Sequence, residues 1–315
     1  MPASVTELGH GRLLLDLGFR DQAQLIAAYL LPGPDGWTLI ETGPTTCGEQ
    51  LLSGLAAAGV EPTQVRRVLV THIHLDHAGG LGALAGRLPA AELGAHTSAL
   101  PHLLDPTRLI ASARRAWGAA ADPLWGTIAP VPPQRLIGLT GGERFPVAGG
   151  ELEVLATPGH ARHHLSFFDT ARGAMITGDS AGVFLPGTST ARPALPPPDL
   201  DLGLLYGSLE SMASREPREL DYAHFGPVPG GAQRLIEYRA TVQEWTRAAL
   251  EAARQQPSVD HVAAALRGVA EQASAQAQLG VEGLRRQEMI SGYELAAQGL
   301  LRYFETHGEL AAGPR

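Results

Sequence analysis

The residues best suited to chemistry lie in one short segment of the chain, Thr71–His77, which reads THIHLDH. A His-x-His-x-Asp-His spacing arises by chance in on the order of one in a thousand chains of this composition. Burying three imidazoles and a carboxylate so close together is costly unless a cation lies among them. The segment therefore predicts a metal site, against the alternative of a surface or packed histidine cluster.

Further candidate ligands occur singly where later strands or turns end. His160 and Asp179 each follow a strand-like run, and His224 precedes a Gly-Pro turn. One such residue alone is more often packed than ligating, but open α/β sheets collect their sites where strands end. With the first motif they make seven candidate metal ligands: His72, His74, Asp76, His77, His160, Asp179 and His224.

The types of these ligands indicate which metals could bind. Imidazole and carboxylate ligands without thiolates suit Zn²⁺, Fe or Mn²⁺. Seven ligands exceed the needs of one four-coordinate ion, and they suit two ions that share a bridging carboxylate and a bridging hydroxide. His72 and His74, two residues apart on a strand, would project to the same side.

The pattern of apolar and turn-forming residues around these ligands predicts the strands and helices that position them. Strands are predicted at Gln22–Leu31, Trp37–Ile40, Val65–Thr71, Ala91–Ala95, Leu152–Thr157, Leu165–Asp169 and Ala174–Thr177. Helices are predicted at Gly48–Gly59, Leu81–Arg87, Asp201–Ala213 and through most of residues 231–304, with a break at Pro257. Two α/β halves followed by helices predict a catalytic domain at residues 1–230 and a C-terminal helical subdomain at residues 231–315.

The metal motifs resemble those of the metallo-β-lactamase superfamily over about residues 8–230. The resemblance implies an α/β (α+β) fold, a four-layer αββα sandwich with the site at one edge of its two sheets, here with a C-terminal helical extension. It also implies a division of the ligands between two metal ions. In that division His72, His74 and His160 hold the first ion, Asp76, His77 and His224 hold the second, and Asp179 bridges them.

Other residues are expected to act around the metal ions. Glu41 stands where many relatives have aspartate, and the resemblance implies that it supports the metal-binding loop without binding the metal. Tyr222 could polarise a substrate carbonyl, although a packed core tyrosine is the alternative. Phe184 lies in one of two insertions, residues 97–133 and 182–198, that are expected to wall a substrate cavity.

The ligand set and the resemblance together predict a metal-dependent hydrolase. A hydroxide bridging two divalent ions, zinc in preference to iron or manganese, would attack an acyl carbon while Asp76 orients it or accepts its proton. Apolar wall segments and an acidic chain favour an ester, thioester or lactone-like small molecule. The alternatives are a phosphodiesterase or nuclease of the same fold, a mononuclear-iron enzyme resembling persulfide dioxygenases, and a non-catalytic binding protein on a retained fold.

Composition limits the classes of partner and location. The chain has 315 residues, with 24 basic residues, all arginine, against 32 acidic ones. Without an arginine-dense block, nucleic acid is not an expected partner. No apolar run approaches 18 residues and no signal peptide is readable, so no membrane span and a cytoplasmic location are expected. Cys47 alone excludes a disulfide framework. The helical tail could close over the pocket or form a homodimer face.

Overall fold

The computed structural model of the chain describes residues 4–276 and 281–310. Its strands are β1 (Ser4–Gly9), β2 (Arg12–Asp16), β3 (Ala27–Gly33), β4 (Gly36–Ile40), β5 (Val65–Leu69), β6 (Glu92–His96), β7 (Leu136–Leu139), β8 (Arg144–Val147), β9 (Gly150–Ala156), β10 (Leu165–Asp169), β11 (Ala174–Gly178), β12 (Glu219–Tyr222) and β13 (Gly226–Pro229). Its helices are α1 (Gly48–Ala57), α2 (Leu75–Ala78), α3 (Leu81–Ala85), α4 (Leu100–Leu104), α5 (Thr107–Trp117), α6 (Ala121–Trp125), α7 (Leu202–Ala213), α8 (Gly231–Gln255), α9 (Val259–Gln276), α10 (Val281–Ile290) and α11 (Tyr293–Thr306).

The chain divides into two compact units, each of which is formed by two separate stretches of the sequence. The first unit comprises the residues up to Ala156 together with His163–Gly178. The second comprises Thr157–Arg162 and the residues from Asp179 onward. The predicted domain boundary after residue 230 stays a prediction, because compactness does not show which segments fold independently.

A seven-stranded sheet forms the larger part of the first unit. Its strands follow one another in chain order from β1 to β7. Strands β1 to β4 are antiparallel neighbours, whereas β4 to β7 run parallel and are connected by helical segments. Ile40, at the end of β4, pairs with Leu69, at the end of β5. The segments that leave these two strands therefore start side by side.

Strands β8 to β11 form the part of the second sheet that belongs to the first unit. They pair antiparallel, so that Phe167 on β10 faces both Val154 on β9 and Ile176 on β11. All five residues of β10 are buried, as are all five of β11, which makes these strands a core of the unit. The N–H of Leu165 donates to the carbonyl of Thr71 at 2.7 Å, so the start of β10 fixes the segment that follows β5.

The second unit is built around helix α8. Helix α8 packs against α7, α9 and α11, and strands β12 and β13 form an antiparallel hairpin. Leu235, Tyr238, Val242 and Trp245 form the buried face of α8, as the helical spacing predicts. Ile236, the residue after Leu235, is 59% exposed, because neighbouring residues of a helix point about 100° apart.

Several elements depart from the sequence predictions. Strand β3 begins at Ala27 rather than Gln22, and β5 ends at Leu69, before the histidine motif. The six strands β1, β2, β7, β8, β12 and β13 were not predicted. The predicted α/β class, with two sheets and helices at the C-terminal end, is confirmed. In residues 4–276 and 281–310, no helix combines the length and apolar character that crossing a membrane requires.

Candidate metal centre

The two histidines at the start of the motif lie in the connection between β5 and α2. They were expected on a strand, but the strand has ended, and His74 is the extended residue just before α2. Their side chains nevertheless meet, with Nε2 of His72 2.9 Å from Nδ1 of His74. His72 is almost fully buried, while His74 is partly exposed. Two imidazole nitrogens are thus brought together at the edge of the unit's core.

Asp76 and His77 lie on the single turn of α2. Nε2 of His77 is 3.7 Å from Oδ2 of Asp76, and the Asp76 side chain is 21% exposed while His77 is fully buried. Thr42, two residues after the end of β4, holds this turn, because its N–H and hydroxyl donate to the carbonyl of His77 at 2.9 and 2.7 Å. The loop that follows β4 therefore fixes the position of α2.

Glu41 contacts Thr71 and His77, the two ends of the segment Thr71–His77, which we call the ligand loop. It is fully buried, directly follows β4, and adopts a positive φ of 69° that is uncommon for a residue with a side chain. Its Oε1 lies 3.2 Å from Nδ1 of His77 and accepts a hydrogen bond of 2.5 Å from the hydroxyl of Thr71. Because a carboxylate accepts hydrogen bonds, this contact assigns the His77 proton to Nδ1 and leaves the Nε2 lone pair for a metal.

Thr71 extends the same contact to a second histidine. Its hydroxyl oxygen lies 3.0 Å from Nδ1 of His72, while its hydroxyl proton is donated to Glu41. The oxygen therefore accepts from Nδ1 of His72, which leaves Nε2 of His72 as the unprotonated ring nitrogen. Thr71 was not predicted as a functional residue, although it directly precedes the motif.

In the second unit, Asp179 lies between two histidines. Its Oδ2 is 3.5 Å from Nε2 of His160, and its Oδ1 is 3.5 Å from Nε2 of His224. All three residues are buried. The Asp179 carboxylate thus offers one oxygen to each of two imidazoles, and its bridging of two cations stays a prediction.

The other ring nitrogen of His160 contacts the backbone. Nδ1 of His160 lies 2.9 Å from the carbonyl oxygen of Ala194, which can only accept. The proton therefore resides on Nδ1, and Nε2 is the nitrogen that points toward Asp179. Sequence reasoning missed this contact because a backbone carbonyl carries no residue-type signal.

These residues fit a divalent metal. His72, His77 and His160 each contact an oxygen through Nδ1, which is the arrangement by which metal-binding histidines are oriented in proteins. The carboxylates of Asp76 and Asp179 lie against the Nε2 atoms. Imidazole and carboxylate donors without thiolate suit zinc, iron or manganese, so these histidines and aspartates could bind such an ion.

A cavity of about 210 Å³ lies in the first unit beside the ligand loop. It is lined by Leu75, between His74 and Asp76, and by the α5–α6 segment, including Trp125. Part of the insertion at residues 97–133 thus walls a cavity, and its contact with substrate stays a prediction. Trp117 does not line it but packs edge-to-face on Trp125, with ring centroids 5.6 Å apart.

The candidate substrate residues Tyr222 and Phe184 lie in the second unit. Their rings are 5.4 Å apart between centroids, and Tyr222 is fully buried. Burial raises the pKa of the Tyr222 phenol, so the group is protonated at neutral pH. The contact of either side chain with substrate stays a prediction.

Comparison with known proteins identifies the family. The family model of the metallo-beta-lactamase superfamily matches residues 23–224, more than half of the chain, and the chain belongs to this superfamily. A metallo-beta-lactamase fold-containing protein of Sulfurisphaera tokodaii is 28% identical over 207 residues, which are 62% of this chain and 77% of the relative. A hydroxyacylglutathione hydrolase of Synechococcus sp. is 30% identical over 152 residues, 48% of this chain and 47% of the relative.

A solved structure supports the same fold. A metallo-beta-lactamase family protein of Thermus thermophilus matches with a TM-score of 0.68 at 23% identity, covering 90% of this chain and 89% of that one. At this identity the likeness establishes the fold alone. The predicted superfamily and its fold class, with C-terminal helices, are therefore confirmed.

Proposed function

We propose that this protein is a hydrolase that uses two divalent metal ions, zinc in preference to iron or manganese, to cleave a small ester, thioester or lactone. As the resemblance to the superfamily implies, His72, His74 and His160 would hold the first ion, Asp76, His77 and His224 the second, and Asp179 would bridge them. Asp179 would also serve the second ion, since its Oδ1 faces His224.

The observation that carries this proposal is the fixed orientation of the imidazoles. Glu41 and Thr71 hold His77 and His72 through their Nδ1 atoms, and the Ala194 carbonyl holds His160 in the same way. Histidines that only stabilise a core do not need three matching tautomers. A metal centre does, because each ligand must present an unprotonated nitrogen.

Bound ions would lower the pKa of a water molecule and stabilise the negative charge that develops on the substrate oxygen. The protein's own groups then have definite tasks. Asp76, partly exposed on α2, would orient the attacking water and accept its proton. The buried histidines exclude bulk water from one side of the site. The charge of the Asp76 carboxylate is therefore less screened there, which strengthens its attraction for a proton.

An acyl substrate is favoured by two features. The cavity beside the ligand loop has Leu75, Ile110 and Ile128 in its lining, next to the Arg114–Asp122 ion pair, and these apolar side chains could contact an acyl group. A related protein is named hydroxyacylglutathione hydrolase, which denotes cleavage of an acyl group from sulfur. A small-molecule substrate is therefore proposed, while a homodimer and a cytoplasmic location remain predictions.

The test combines metal content with a substrate panel. Purified protein reconstituted with zinc should hold two ions per chain and hydrolyse a thioester, an ester or a lactone. Asp179→Ala should lose both the second ion and turnover, whereas Asp260→Ala, at an exposed position of α9, should change neither. Full metal content and turnover in Asp179→Ala would refute the proposal.

The alternatives give different outcomes in the same experiment. A phosphodiesterase would cleave only the phosphodiester of the panel, and a nuclease would bind nucleic acid with an affinity that falls steeply with salt. A redox enzyme would hold one iron per chain and consume oxygen. A binding protein would hold metal and cleave nothing in the panel.

A further inference from the structure

Helices near the end of the chain hold the segment that contacts His160. This segment is Arg192–Leu195, and the carbonyl oxygen of its Ala194 lies 2.9 Å from Nδ1 of His160. The segment and His160 belong to the same compact unit as helices α8 to α11, which we call the C-terminal helices. Each residue of the segment contacts one of these helices or the connection between α10 and α11. The position of the carbonyl therefore depends on these helices.

Arg192 fixes the first residue of the segment. Its side chain is buried, and the Cζ atom of its guanidinium lies 3.9 Å from the centroid of the Tyr293 ring and 5.6 Å from that of the Trp245 ring. The guanidinium also donates to Glu288 at 3.0 Å. Burial lowers the pKa of Arg192 because it penalises the charged form, and these contacts compensate for that penalty. Arg192 therefore ties the segment to α8, α10 and α11 together.

The peptide group between Pro193 and Ala194 is held at both of its polar atoms. The Ser291 hydroxyl, in the connection between α10 and α11, donates to the carbonyl of Pro193 at 2.7 Å. The N–H of Ala194 donates to the hydroxyl of Tyr238, on α8, at 3.4 Å. Because a peptide group is planar, contacts to its carbonyl and to its N–H together fix the orientation of the whole group.

Helix α11 restricts the chain on the other side of Ala194. Gly299 lies so close to Leu195 that a Cβ on Gly299 would be 2.0 Å from the Leu195 carbonyl oxygen and 3.0 Å from its carbonyl carbon. A glycine permits this close approach because it has no side chain. The peptide group that carries the Ala194 carbonyl thus lies between two peptide groups that the C-terminal helices restrain, and it has little freedom to turn.

The direction of the Ala194 carbonyl determines which nitrogen of His160 is able to bind a metal. A carbonyl oxygen only accepts hydrogen bonds, so it keeps the proton on Nδ1 and leaves the lone pair on Nε2. That Nε2 faces Asp179, at 3.5 Å from its Oδ2. If the carbonyl turned away, the proton would reside on Nε2 in part of the molecules, and a protonated nitrogen does not bind a metal ion.

We infer that the C-terminal helices position His160 for metal binding, because they fix the carbonyl that holds its Nδ1 proton. The inference rests on the proposed function, since it takes His160 as a metal ligand. Ser291, Tyr238 and Gly299 are then positioning residues. They act on the metal through the Ala194 carbonyl, although none of them belongs to the ligand motifs.

Ser291→Ala removes the donor to the Pro193 carbonyl and tests the inference with a small change. In metal-free protein, above the ordinary pKa of histidine, the ¹⁵N shifts of His160 should change from one tautomer with Nδ1 protonated to a mixture. Zinc affinity, measured by competition with a chromophoric chelator, should fall about 3- to 10-fold, the effect of one hydrogen bond. Ser214→Ala is the matched control and should change neither readout, because the exposed Ser214 hydroxyl donates to the Ser211 carbonyl where α7 ends.

Gly299→Ala makes a larger change, since its methyl group must displace Leu195 or move α11. It should shift the His160 tautomer in the same direction as Ser291→Ala and lower zinc affinity about 10- to 100-fold. Gly268→Ala on α9 is the matched control, because a Cβ there meets nothing within 4 Å. Should Gly299→Ala fail to fold, the result for Ser291→Ala decides.

A general loss of stability would lower zinc affinity whether or not His160 is present. Ser291→Ala should therefore be repeated in the His160→Ala protein, where zinc affinity should not fall further because no ring is left to position. An equal loss in both backgrounds, or an unchanged tautomer and zinc affinity in Ser291→Ala, would overturn the inference. Wild-type protein that binds no zinc would instead refute the proposed function, and the tautomer of metal-free His160 would still decide whether the helices position its ring.

Discussion

Replacing Glu41 by alanine should weaken metal binding although Glu41 is not proposed as a ligand. One carboxylate oxygen, Oε1, lies 3.2 Å from Nδ1 of His77 and 2.5 Å from the hydroxyl of Thr71, which in turn lies 3.0 Å from Nδ1 of His72. The variant therefore releases two histidines at once. Loss of such a partner typically weakens metal binding 10- to 100-fold, or about 1.4–2.8 kcal/mol.

The stability of the metal-free protein should fall as well. The His77 N–H would remain buried without its acceptor, at a cost of about 1–3 kcal/mol. Glu41→Gln keeps an oxygen that can accept from both groups, so it should recover most of the zinc affinity. Glu49→Ala is the control, because the Glu49 side chain is 80% exposed.

Zinc affinity is measured by competition with a chromophoric chelator, and stability by urea unfolding of the metal-free protein. Wild-type zinc affinity in Glu41→Ala would refute the reasoning, whatever the stability, because it would show that His77 and His72 do not depend on Glu41. Equal losses in Glu41→Gln and Glu41→Ala would show that the charge matters rather than the hydrogen bonds.

Three further results are expected. Burial raises the pKa of the Cys47 thiol to about 12, so the native protein should react with a thiol reagent at pH 8 far more slowly than the urea-unfolded chain; equal rates would contradict this. A hydrogen bond from Arg67 lowers the pKa of Asp35, so the pair stabilises the fold above the unfolded pKa of about 3.9 and loses this effect as the pH falls through the lower folded value. The difference in urea midpoint between wild type and Asp35→Asn should thus shrink below about pH 4, and a constant difference would argue against the pair. Gly231→Ala should destabilise by about 1–3 kcal/mol, because the new Cβ would lie 1.7 Å from the Pro217 carbonyl oxygen; an unchanged unfolding curve would show that this contact relaxes freely.

The parts of the fold that the sequence predicts are those with a strong local pattern. Strand β10 has the predicted bounds, Leu165–Asp169, because a compact apolar run lies there between two polar turns. Strand β13 was missed because its four residues include Pro227 and Pro229, which cannot donate to a sheet. The start of β3 was placed too early, since the chain bends at residues 23–25, where Gln24 has a positive φ of 61°.

The contacts that orient the candidate ligands could not be predicted from local pattern. Glu41 and His77 are 36 residues apart in the sequence and meet because Ile40 pairs with Leu69 when β4 and β5 align. The sequence shows the types and the order of the candidate ligands. Which residue the other ring nitrogen of each imidazole contacts depends on how the strands pair.

The most direct test of the central claim is the metal content of zinc-reconstituted protein by mass spectrometry, for wild type and for His77→Ala and His160→Ala. Two zinc ions per chain in the wild type, and fewer in each variant, are the expected result. Wild-type protein without bound metal, or variants that keep both ions with unchanged affinity, would contradict the account.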